Sequence, residues 1–217
     1  MISQLRKHRT LFSTDIFTLT VQQLQSKKPK LFSSSFVVTS PESPSSSLLK
    51  ELNCLDRNNE LTPLGKILAR LPLDPRLGKM IIFGCVFNCG DAMCTLAAHT
   101  ATSPEIFIIP PEYKRLSPFQ RAFGGNRSSD HIAMLSAFTA WDDTRMRGEQ
   151  AEMNFCDYKQ LSMPTLRVTW EAKNQIRDLL ISSGFPEECL MPNVYNFYGE
   201  DFKLDLITGI LSFGHYP

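Results

Sequence analysis

From Ser47 to Gly84 the apolar positions become regular: Leu48, Leu49, Leu52 and Leu55 recur at helical spacing, and Asp56-Arg57-Asn58-Asn59-Glu60 follows as a polar turn. Two helix starts come next by one device. Thr62-Pro63 and Asp74-Pro75 each put a capping side chain before a proline, whose missing N–H is not needed at the first helical position. Pro72 closes the first of these helices and Gly84 is placed to break the second. Beyond Cys85 the pattern is mostly helical, with Asp91 as the cap for Ala92 to Thr100 and a proline-rich loop from Ser103 to Pro118. A helix then starts near Ser128 or Ser129, carrying Ile132, Leu135, Phe138 and Trp141 at intervals of three, the pattern of a helix packed on a core. The longest helix is expected from about Ser162 to Ser183: Pro164 fits its first turn, neither Gly nor Pro interrupts it afterwards, and Gly184-Phe185-Pro186 ends it. The apolar run from Asp205 to Phe213 reads as an extended element whose partner is missing, which points to a truncated chain, because an orphan strand cannot satisfy its own backbone groups.

The first 47 residues are less ordered in pattern. They contain one helix candidate, Asp15 to Gln25, then Lys27-Lys28-Pro29-Lys30 and a Ser/Pro-rich run from Thr39 to Ser47. Up to Phe36, six Lys or Arg stand against Asp15 alone, while the whole chain carries a net charge of only +1. That excess reads as a solvated tail, and the overall balance does not mark the chain as a binder of nucleic acid by bulk charge. With 217 residues and 42% hydrophobic content the chain can bury a core in one or two small domains. It has no apolar run of about 18 or more residues and no secretory leader pattern, so membrane insertion and secretion are not expected. Nucleus, cytoplasm or both are the expected compartments, and the six cysteines are read as reduced, buried small residues.

Candidate chemistry is thin. Cys85, Cys89, Cys94 and His99 bring four metal-ligand types into fifteen residues, but a continuous helix spreads them over different faces, and packing is the favoured reading. Ser129-Asp130-His131 has the residue types of a hydrolytic triad, yet neighbours at a helix start cannot take up that geometry, and capping explains them better. No G-x-x-x-x-G-K-[ST] string and no Asp-Glu-Ala-His string occurs, so no nucleotide site is expected in the chain itself.

The segment Leu61 to Met80 (LTPLGKILARLPLDPRLGKM) closely resembles the helicase-associated region of the DEAH/RHA RNA helicases. Ser129-Asp130-His131-Ile132-Ala133-Met134-Leu135, Trp141-Asp142-Asp143, Leu166 to Lys173 and Leu211 to Pro217 resemble the same region in order. Phe123-Gly124-Gly125-Asn126-Arg127 and Phe155-Cys156 look most like the RNA helicase A (maleless) branch. The resemblance covers about Ser45 to Pro217 and implies a mainly α fold, a degenerate winged helix followed by a helical-bundle ratchet domain. The implied division is an N-terminal segment over 1–44, either the end of a RecA-like domain with its linker or a divergent stretch, then a winged-helix-like part over 45–84. A ratchet domain follows over 85–192, and 193–217 leads toward an OB-fold outside the chain.

It further implies that ATP and magnesium bind RecA-like domains outside this chain, which itself holds no cofactor and no metal. Its partners are then those RecA-like domains, the OB-fold, and single-stranded RNA in a channel between them. Such RNA needs cations for phosphate and planar groups for bases. Arg121, Asn126, Arg127 and His131, gathered before and at one helix start, are the first candidate group. Arg167, Trp170, Asn174 and Arg177, one stripe of the longest helix, are the second. The alternative for each is a solvated or bracing Arg or Asn and a core Trp. At the level of the whole chain, the alternative is a standalone, non-catalytic protein that binds RNA or a helicase partner.

Overall fold

The computed structural model describes residues 44–71, 73–102, 105–109 and 117–215. The helix expected over Asp15 to Gln25, the stop at Pro72 and most of the proline-rich loop lie outside the described residues. Within them the chain is mainly α, as expected: nine α-helices, two 3₁₀ turns and two isolated β-bridges, with no strand. It divides into two compact units, one ending at Met80 and recovering the chain from Phe213, the other running from Ile81 to Ser212.

The first unit contains α1 (Pro44–Glu51), α2 (Pro63–Leu68) and the first half of α3 (Pro75–Val86). Leu49, Leu52 and Leu55 are buried, as their spacing requires, together with Leu68, Leu71, Leu77 and Met80. The polar turn after α1 forms as expected: the Asp56 carboxylate accepts from the Asn58 and Glu60 amides, both at 2.8 Å, and Leu55 bridges Leu61. Thr62 caps α2, its hydroxyl accepting from the Gly65 amide at 3.0 Å, with Pro63 in the first turn. The Lys79 ammonium lies 4.4 Å from the centre of the Phe213 ring.

In the second unit α4 (Gly90–Thr102) is the central helix, buried continuously from Gly90 to Ala98. It packs along α8 (Met163–Ser182) and also meets α6 (Asp130–Arg145) and the 3₁₀ turn Glu187–Leu190. α5 (Pro118–Gly124) packs on α6, and α7 (Glu149–Lys159) packs on α6 and α8. The caps are local and legible: Ser129 opens α6, and Ser162 opens α8 with Pro164 behind it. Ser117-Pro118 repeats the device at α5. Ile132, Leu135, Phe138 and Trp141 are all buried on α6. A short bridge between Phe107 and Leu161 brings Ile106–Ile108 against the α7–α8 junction.

Three local expectations are corrected. Gly84 does not break α3, which continues to Val86; the absent side chain instead leaves room for Met93, and the turn comes at Asn88, whose φ is +56°. Asp91 is not a cap but lies inside the first turn of α4, where its carboxylate meets the Lys173 ammonium at 2.7 Å. The run from Asp205 to Phe213 is not extended: it belongs to α9 (Phe202–His215), whose start is held by the Asp201 carboxylate accepting from the Lys203 and Leu204 amides. A helix satisfies its backbone groups within itself, so the run needs no partner strand.

The six cysteines are free and buried, as expected. Burial pushes the thiols of Cys54, Cys89 and Cys156 up to about 11 and that of Cys94 up to about 12.

Candidate functional site

The first candidate group is split by its surroundings. Gly125 takes φ +56° at the 3₁₀ turn Gly125–Arg127, and a side chain there would collide with the Phe197 carbonyl oxygen, so only glycine lets the turn approach residues 197–198. That approach engages two of the four residues inside the fold. Asn126 donates through Nδ2 to the Tyr198 carbonyl at 3.2 Å. Arg127 donates to the carbonyls of Gly199 at 3.0 Å and Asp201 at 3.2 Å and pairs with Asp205 at 3.2 Å. The Asp201 carboxyl is disfavoured as an anion by burial, yet the amides of Asn196, Leu204 and Lys203 hold it below its ordinary value.

Arg121 and His131 are exposed, as is Asn126. Gln120 donates to the Asp130 carboxylate at 3.2 Å, so Arg121 and His131 each stand one residue beyond that bond, at the end of α5 and the start of α6. The Arg121 guanidinium forms no hydrogen bond or ion pair among the described residues. His131 acts electrostatically on His99, whose pKa is lowered first by burial and then by His131.

The second candidate group does share a face of α8, but that face is turned partly inward. Arg167 reaches across to α7, donating through Nε to Glu152 at 3.0 Å and through Nη2 to its other oxygen at 2.7 Å, with Glu149 at 3.4 Å. Glu152 is almost fully buried and also accepts from Trp141 Nε1 at 3.1 Å. The Arg167 bonds, against the opposing effect of burial, hold the Glu152 carboxyl below its ordinary value. Trp170 stacks under the Arg145 guanidinium at 4.2 Å, and Arg145 in turn pairs with Asp142 at 2.8 Å. Asn174 and Arg177 are half-buried and form no side-chain hydrogen bond or ion pair among the described residues. Arg167 and Trp170 therefore brace α6, α7 and α8 against one another.

Two family models match the chain up to the start of α8. The winged-helix model of the helicase-associated domain (HA2) matches residues 47–73, and the ratchet-like model of the same domain matches residues 74–162. The chain belongs to the helicase-associated (HA2) family. The relatives of this HA2 region include the DExH-box ATP-dependent RNA helicase DExH1 of Arabidopsis thaliana, 40% identical over 172 residues that make up 78% of this chain and 17% of that protein. The ATP-dependent DNA/RNA helicase DHX36 of Homo sapiens is 39% identical over 170 residues, again 78% of this chain and 17% of the relative. The ATP-dependent RNA helicase dhx29 of Xenopus laevis is 35% identical over 144 residues, 66% of this chain and 10% of the relative. The HA2 region thus spans less than a fifth of the length of these relatives.

The Glu152 hub and the Arg145–Trp170 stack were not singled out from sequence. Glu152 lies fifteen residues from Arg167 and eleven from Trp141, and no spacing rule links those three positions across three helices.

Proposed function

We propose that this HA2 region lines a channel for single-stranded RNA within an ATP-dependent RNA helicase and does not itself hydrolyse ATP. The observation that carries the reading is the exposed pair Arg121 and His131 at the α5–α6 junction, where the Arg121 guanidinium forms no hydrogen bond or ion pair among the described residues. A guanidinium suits a phosphate oxygen, and an exposed imidazole can stack on a base or donate to it. Asn126 and Arg127 act as positioning residues, because their bonds to residues 198–201 set the turn that precedes α6. Arg167 and Trp170 hold the helices in place, and Asn174 and Arg177 remain candidates for contact further along α8.

The sequence contains no G-x-x-x-x-G-K-[ST] phosphate loop, which supports placing the nucleotide and magnesium elsewhere. RecA-like domains of the complete helicase would supply that chemistry, with an OB-fold closing the channel. Nucleus and cytoplasm both suit such a role.

The test is fluorescence anisotropy of a labelled single-stranded RNA titrated with the 217-residue chain at low and high salt, alongside Arg121→Gln and His131→Ala. Each phosphate contact removed should flatten the log affinity against log salt plot by about 0.7 for a single strand. Arg121→Gln is expected to show that change, and His131→Ala to weaken binding at both salts. RNA binding that ignores salt and both substitutions, or RNA-stimulated ATP turnover by the chain alone, would overturn the proposal.

A further inference from the structure

A cluster outside both candidate groups combines an exposed ring with a cation that has no carboxylate partner among the described residues. Lys159, the last residue of α7, places its ammonium 4.9 Å from the Tyr158 ring, 5.6 Å from Phe119 and 5.8 Å from Phe123. All three distances fall within cation–π range. Phe119 and Tyr158 meet edge to face, with centroids 5.9 Å apart and planes at 62°. Lys159 forms no ion pair among the described residues, and exposed Asp157 beside it does not reach it. Phe123 is buried and fixes the base of the cluster, while Tyr158 is 69% exposed. Ile108, 52% exposed, borders it through the bond from its amide to the Gln160 carbonyl at 2.8 Å.

Each part has a chemical consequence. The edge contact with Phe119 restrains the Tyr158 ring, and a restrained ring loses little rotamer freedom when something stacks on it. Among the described residues the ammonium is held by rings and not by a carboxylate, which leaves its charge to meet an anion. An exposed ring with a cation over it suits one nucleotide: the base stacks on the exposed surface of Tyr158 and the phosphate meets the ammonium. An apolar protein segment would leave that ammonium facing no counter-charge, which disfavours it as the occupant.

We infer that Tyr158 and Lys159, braced by Phe119, form a stacking platform for one nucleotide of single-stranded RNA. The inference rests on the channel reading but uses residues that reading does not. It takes any base, since every base has a π-face, and it adds one stacked nucleotide to the strand held at the α5–α6 junction.

The experiment compares the wild-type 217-residue chain with Tyr158→Ala, Tyr158→Phe, Lys159→Gln and Arg121→Gln, using a short oligouridylate and the same oligomer with abasic riboses. Circular dichroism of each variant checks that the helices are intact, which the exposure of Tyr158 favours. Tyr158→Ala should weaken oligouridylate binding roughly tenfold, the size of one lost base–aromatic stack, and Tyr158→Phe should retain it. The abasic oligomer should bind wild type and Tyr158→Ala alike. Lys159→Gln should lower the salt slope by about 0.7. If Tyr158→Ala binds within about twofold of wild type while Arg121→Gln weakens binding, the platform is overturned and the channel reading stands. If wild type shows no salt-sensitive RNA binding at all, both are overturned.

Discussion

Removing the Glu152 carboxylate should loosen the three-helix brace by an amount the structure sets. In Glu152→Ala the Trp141 ring, which has no exposed surface, loses the only acceptor its Nε1 has among the described residues. Orphaning a buried donor costs about 1–3 kcal/mol, and full burial places this one near the middle of that range, about 2 kcal/mol. Arg167 adds little, because its side chain is 42% exposed and can turn to water once released. For a chain of this size about 2 kcal/mol lowers the melting temperature by about 4–8 °C. Glu152→Gln keeps an acceptor for Trp141 and should lose less than about 1 kcal/mol. The pH dependence separates charge from geometry. The Glu152 carboxyl is held below its ordinary value of 4.5, so its contribution is fully present above that pH and is lost as the pH falls through the folded-state value. Thermal melts followed by circular dichroism at neutral and acidic pH should show wild type losing this increment in acid, with Glu152→Gln flatter there. A Glu152→Ala melt within about 1 °C of wild type at neutral pH would refute the reasoning, since the buried Trp141 donor would then have no need of Glu152.

Two further tests probe the same unit. Lys173→Met leaves the buried Asp91 carboxylate without its 2.7 Å partner and should cost about 3–5 kcal/mol, whereas adding Asp91→Leu should recover part of the loss; urea midpoints decide between them. Gly125→Ala puts a side chain at φ +56° against the Phe197 carbonyl, so it should cost about 1–3 kcal/mol and speed amide exchange over residues 198–204, where Asn126 and Arg127 dock.

What could be read in the sequence was local. α8 announces itself through the Ser162 cap, Pro164 in the first turn and Gly184 beyond the end, all within hydrogen-bond reach of the backbone they govern. α6 is equally plain from Ser129 and the buried positions that follow it. α7 carries no such marks: Gly148 precedes it without a side-chain cap, and Gln160, not glycine, takes the left-handed position at its end. α9 carries no local mark of a helix: its apolar run contains Gly209, and its start depends on Asp201 accepting from amides two and three residues on. The candidate site suffered from a different gap. Helical spacing put Arg167 and Trp170 on one stripe, but whether that stripe meets solvent or Glu152 and Arg145 depends on helices from elsewhere in the chain. Arg127 reads in the sequence as a cation near a helix start, but its partners lie more than seventy residues away.

The most direct test of the channel reading is ultraviolet crosslinking of a single-stranded RNA to the intact 217-residue chain, with the attached peptides mapped by mass spectrometry. Crosslinks concentrated between Phe119 and His131 are the result predicted. Crosslinks absent there, or confined to the 3₁₀ turn Glu187–Leu190 and the exposed face of α9, would contradict it.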